Sequence, residues 1–144
     1  MRKFSALLAL FGLSLSISAS THADLVVVAH PDAQVNQLSR SELINIFMGR
    51  YRKLPSGVTA LPVDLAPLKS RFYRQLVNKD IAEINSYWAR LVFSGQTSPP
   101  VQMQGEAEML EYIRRNPGAI GFVDSADVPQ DLVVLMTFSE HASP

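Results

Sequence analysis

From residue 25 onward the apolar residues fall into short separate runs of two kinds, continuous β-branched stretches and stripes at helical spacing, and this alternation confines the chain to an α/β fold. Leu25 to Ala29 is a β-branched run closed by His30-Pro31-Asp32, which reads as a buried strand ending in a turn. Ser39-Arg40-Ser41-Glu42 fits a capping box, and Leu43, Ile44, Ile46 and Phe47 follow at helical spacing until Gly49. Val58 to Val63 reads as a second strand despite Pro62. Pro67 sits where a helix can begin, and Leu68, Phe72, Leu76 and Val77 form one stripe through about residue 77. Asp80 and Glu83 open a further helix whose Ile81, Ile84, Trp88, Leu91 and Val92 line one face until Gly95 stops it.

After a loop at 97–100, a helix is predicted over 106–115 with Leu110 and Ile113 inward and Arg114 and Arg115 at its negative end. Asn116-Pro117-Gly118 terminates it, and 119–123 and 132–135 read as the last two strands. The expected architecture is a mixed or mostly parallel sheet flanked by helices. With no internal repeat, low-complexity tract or linker, residues 24–144 read as a single domain ending in a short polar tail.

The first 23 residues follow a different logic. Arg2 and Lys3 precede an apolar run from Phe4 to Ile17, which matches the charged and hydrophobic regions of a signal peptide. A spanning helix needs about 20 continuous apolar residues, and this run is shorter and gives way to Ser18, Ser20, Thr21 and Asp24. Thr21-His22-Ala23 supplies small residues at both positions that the peptidase reads, so the mature chain is expected to begin at Asp24, in the periplasm or secreted, with no stable membrane anchor.

Removal of that segment takes two basic residues and no acidic ones, leaving a net charge near −2. Such a balance offers no electrostatic attraction to nucleic acid or an anionic membrane. The chain has no cysteine, which excludes disulfides, thiolate metal sites and cysteine nucleophiles. Of three histidines only His30 falls inside the fold, beside Pro31, where a turn role accounts for it better than a ligand role. There is no Gly-x-Ser-x-Gly elbow, and Glu108 with Glu111 reads as a solvated helix face. No metal site, cofactor or enzymatic activity is therefore expected.

Two basic clusters remain. Lys69, Ser70 and Arg71 fall in the first turn of a predicted helix, where free amides and the helix dipole favour an anion, although a charged helix face is the plainer explanation. Arg50, Arg52 and Lys53, beside Tyr51, form a basic loop that can meet an anion or a protein partner or be simply solvated.

Several segments form a pattern in fixed order: Ile46-Phe47-Met48-Gly49, Tyr87-Trp88 through Phe93-Ser94-Gly95, Pro99-Pro100, and Asn116-Pro117-Gly118-Ala119-Ile120-Gly121-Phe122-Val123. Together they resemble the phosphate-binding proteins of ABC transporters, with their IF-x-G, YW-x-x-x-F-x-G and PGAIGY segments, across nearly all of residues 25–135. The resemblance implies a type 2 periplasmic-binding-protein-like fold. Those proteins have two lobes and more than twice this length, so this chain looks like one lobe. It also implies an anion loop after the strand that ends near Val63. Asp64 stands where the family carries an Arg, and the family's Ser-Gly-Thr is absent, which leaves Lys69, Ser70 and Arg71 as the possible donors. Two functions follow: a solute-binding-like protein taking phosphate or another small oxyanion, alone or with an ABC transporter, or a ligand-free module that displays 50–53 and the helix face around Arg90 to an envelope protein.

Overall fold

The computed structural model describes residues 23–139. The expected export segment up to residue 22 and the end of the tail, with His22 and His141, lie outside the described residues. The elements are β1 (Leu25–Ala29), α1 (Arg40–Phe47), β2 (Leu61–Leu65), α2 (Ala66–Val77), α3 (Ile81–Phe93), β3 (Val101–Met103), α4 (Glu106–Arg115), β4 (Ala119–Asp124) and β5 (Val133–Phe138).

The five strands form one sheet in the order β3-β2-β4-β1-β5. β2 is parallel to both β3 and β4, whereas β1 is antiparallel to β4 and β5. The sheet is thus mixed and not mostly parallel. β1 and β4 lie inside it, and every residue of β1 is buried, as a strand covered on both faces requires.

Alternation along β4 sets the layers. A side chain on Gly121 would strike Met109 and Ile113 of α4. The next residue, Phe122, points to the other face and stacks on Phe72 of α2 at 3.9 Å between ring centres, with Phe47 of α1 against Phe72 at 4.8 Å. Helix α4 therefore covers one face, while α1 and α2 cover the other. α3 packs outside α2 and closes the core with Ile84 and Trp88.

The starts and stops expected from sequence appear with their hydrogen bonds. Ser39 Oγ accepts from the Glu42 amide while Glu42 accepts from the Ser39 amide, and Asp80 accepts from the Glu83 amide. Gly49 and Gly95 adopt left-handed φ values of 76° and 69° after α1 and α3. His30 Nδ1 accepts from the Asp32 amide and caps a short 3-10 turn.

Three expectations need correction. The second strand begins at Leu61, because 52–60 fold back on themselves through the Leu54–Val58 and Ala60–Arg52 backbone bonds. A three-residue strand, β3, occupies 101–103, a segment too short to show a period. Val92 is 54% exposed, since α3 rests on the core through Ile84 and Trp88 and its last turn projects beyond it.

Candidate functional site

Strands β2 and β3 run side by side and finish level, with Leu65 opposite Met103. β2 feeds directly into α2, and β3 leads through Gln104 and Gly105 into α4, so two helices start at the same end of the sheet. Neither start is closed by a side chain: the capping positions are Leu65 and Gly105, in contrast to Ser39 on α1 and Asp80 on α3. First-turn amides without side-chain caps, reduced on α2 by Pro67, which has no N–H, and two positive dipole ends therefore share the carboxyl end of a parallel strand pair, where open α/β sheets characteristically take ligands.

The side chains at this end form a network of four carboxylates and two cations. Asp64 belongs to β2 and is only 2% exposed, which corrects its expected place in an anion loop. Tyr73 Oη donates to its Oδ1 at 2.9 Å, and Lys69 Nζ lies 3.6 Å from its Oδ2 while donating to Gln102 Oε1 at 3.2 Å. Burial pushes the Asp64 carboxyl up to about 6, outweighing the Tyr73 bond and the Lys69 charge that favour the carboxylate. Tyr73 is raised too, by its own burial and then by Asp64. Arg71 donates to Asp124 at 2.9 Å and to the backbone carbonyl of Ala23. Glu106, the first residue of α4, is raised by partial burial and by the nearby charges of Asp127 and Asp124.

Of the residues singled out from sequence, Lys69 is the fourth residue of α2 and turns toward Asp64 and Gln102. Ser70 is exposed in the second turn, and Arg71 faces Asp124 on the neighbouring β4. Because α2 begins at Ala66, the last two stand one turn beyond its free amides. Arg50, Arg52 and Lys53 lie near the opposite end of β2, on the loop after α1. Sequence reading missed Tyr73, Gln102 and Glu106. The available signal was Val63-Asp64-Leu65, whose central carboxylate inside an apolar run requires a buried donor. Among the described residues no group of His, Asp and Glu side chains is placed to hold a metal ion, and no helix is long and apolar enough to cross a membrane.

A five-stranded mixed sheet flanked by four helices is the architecture of a periplasmic-binding-protein lobe. Two solved structures share it. One is an ABC-type phosphate transport receptor from Vibrio cholerae, with a TM-score of 0.59 and 15% identity over 80% of this chain and 47% of that one. The other is a substrate-binding protein assigned to a phosphate ABC transporter of Clostridium perfringens, solved with bound phosphate, with a TM-score of 0.61 and 13% identity over 79% of this chain and 45% of that one. The chain thus spans about half the length of these neighbours, and at this identity the likeness establishes the fold. No protein-family model and no curated protein matches the sequence.

Proposed function

We propose that this chain is an exported, single-lobe binding protein of the phosphate-binding type, taking a small oxyanion at the paired starts of α2 and α4. The observation that carries this reading is the pair of helix N-termini without side-chain caps at one end of the parallel strands β2 and β3. Lys69 and Arg71 border that end and supply charge-assisted donors. The likeness to a lobe of a phosphate-loaded structure supports the choice of ligand class.

The proposed signal cleavage bears on the same place. Arg71 grips the carbonyl of Ala23, so a mature chain starting at Asp24 loses that acceptor and gains an α-ammonium beside Arg71. The carboxylates Asp64, Asp124, Glu106 and Asp127 oppose an anion there. A single lobe leaves the ligand open to water, so the affinity is weak. Protonation of Asp64 removes negative charge, and binding strengthens as pH falls through about 6; Glu106, also shifted upward, acts in the same direction.

Calorimetric titration of the chain beginning at Asp24 with sulfate and with phosphate, at pH 5.5 and 7.5, tests this. Sulfate keeps its charge across that range, so its tighter binding at pH 5.5 reports the protein's own groups. Lys69→Ala combined with Arg71→Ala should abolish the heat and leave the circular dichroism spectrum unchanged. The reading fails if the wild-type chain gives neither heat nor a melting shift with millimolar oxyanion at either pH.

A further inference from the structure

At the opposite end of β2 the loop after α1 and the last turn of α3 form a second surface, independent of the oxyanion site. Phe93 ends α3 and is 95% exposed; Val92 beside it and Tyr51 across from it are each more than half exposed. The same loop carries Arg50, Arg52 and Lys53, and Arg90 lies one turn before Phe93 on α3, all exposed. Among the described residues none of these four cations has a carboxylate within ion-pair distance, whereas Lys69, Arg71, Lys79, Arg114 and Arg115 each do. Arg50 and Arg90 also border a recess lined by Glu83 and Asp80, of which Glu83 is paired with Lys79 and Asp80 caps the start of α3. Arg40 and Arg74 also lack a carboxylate, but four of the six described cations left so lie on this one loop and helix, with the exposed Phe93 and Tyr51.

The surface is also held rigid. Tyr87 Oη donates to the Met48 carbonyl at 2.7 Å, and Arg52 Nη2 donates to the Gln96 carbonyl at 3.1 Å, tying the loop to both parts of α3's neighbourhood. Gly49 permits the approach: a side chain there would meet the Trp88 ring at 2.8 Å and Thr97 at 3.1 Å. Between loop and helix lies a cleft of about 520 Å³, lined by Tyr51, Arg52, Val92, Gln96 and Thr97 among others. Interface anchors are typically aromatic and arginine side chains beside a recess, and a preformed recess lowers the ordering cost of binding.

We infer that this face docks an acidic segment of another envelope protein, which inserts an apolar side chain beside Phe93 while its carboxylates meet Arg50, Arg52 and Lys53. The positive charge selects acidic character, the exposed Phe93 and Val92 supply the apolar contact, and the concave cleft beside Val92 fits a protruding polypeptide better than a flat bilayer surface does.

The test replaces Phe93 by a photo-crosslinking phenylalanine derivative in the full-length protein expressed in its native cell, with Arg115 so replaced as a control. Illumination should give a discrete adduct from position 93 and none from position 115. Mass spectrometry should place the crosslink in an acidic stretch of a different protein, and the combined Arg50→Glu, Arg52→Glu and Lys53→Glu variant should lose the adduct. The variant Arg50→Glu with Lys53→Glu, which spares the Arg52–Gln96 bond, should also lose the adduct, and its denaturation midpoint and that of Phe93→Ser should match the wild type, because these side chains are exposed. An adduct with a second copy of this chain, co-sedimentation with phosphatidylglycerol vesicles that the charge reversal abolishes, a crosslink in a basic segment, or no adduct at all would each overturn the proposal.

Discussion

Replacing Asp64 by asparagine isolates the cost of the buried carboxylate. Asparagine keeps the shape and still offers an oxygen to Tyr73 Oη, now 2.9 Å from Asp64 Oδ1, but it cannot ionise. The carboxyl moves from an ordinary 3.8 to about 6 on folding, with burial the dominant cause. The sign follows from proton uptake: between those values the folded chain holds a proton that the unfolded chain has released. Wild-type stability is therefore fully retained below about pH 3.8 and falls as pH rises through about 6, after which it levels. At about 1.4 kcal/mol per pH unit, the fall attributable to this one group is about 3 kcal/mol. The favourable effects of Lys69 and Tyr73 are already contained in the folded value, so they are not added again. The assay is urea unfolding from pH 4 to 8, followed by the fluorescence of Trp88, the sole tryptophan. Part of that fall is already complete at pH 4, so the stability of Asp64→Asn minus that of wild type should grow by about 2 kcal/mol from pH 4 to pH 7.5. Other titrating groups are common to both proteins and largely cancel in that difference. A flat or declining difference would refute the reasoning, because it would mean that Asp64 is ionised in the fold without penalty.

Two further predictions concern packing. Trp88 is 6% exposed, and Trp88→Ala should cost about 3 to 5 kcal/mol in the same denaturation assay; its indole N–H has no partner among the described residues, so Trp88→Phe should cost markedly less. A side chain at Gly118 would overlap the Thr59 carbonyl oxygen, a backbone atom, whereas one at Gly121 would press on the flexible Met109 thioether at 2.7 Å. Gly118→Ala should thus lower stability by about 3 kcal/mol or more and Gly121→Ala by about 1 to 2 kcal/mol, an order that equal melting temperatures for the two variants would contradict.

Local chemistry was readable without the structure wherever a residue acts on its own neighbours in sequence. Ser39 and Glu42 close the start of α1, Asp80 closes the start of α3, and Gly49 and Gly95 turn the chain out of those helices, all within a few positions. The β-branched run of β1 and the Ala-Ile-Gly-Phe-Val of β4 announced buried strands for the same reason, since their pattern lies in the residues themselves. The periplasmic-binding-protein resemblance added the lobe as an expectation, which the fold comparison bears out.

What the tertiary structure decided are the relations between distant segments. The hydrogen-bonding capacity of a strand does not specify its partner's direction, so the antiparallel place of β1 between β4 and β5 emerges only when the layers assemble. Val101–Met103 becomes a strand because β2 offers it an open edge, a condition absent from three residues taken alone. The exposure of Val92 and Phe93 depends on where the core beneath α3 ends. Asp64 shows the difference most directly: as a letter between Val63 and Leu65 it reads as a charge that repels anions, and as a side chain it is buried against Tyr73 and Lys69. Its protonation is set by groups brought to it through packing, because burial and the electrostatics of neighbours depend on distance in space and not on distance along the chain.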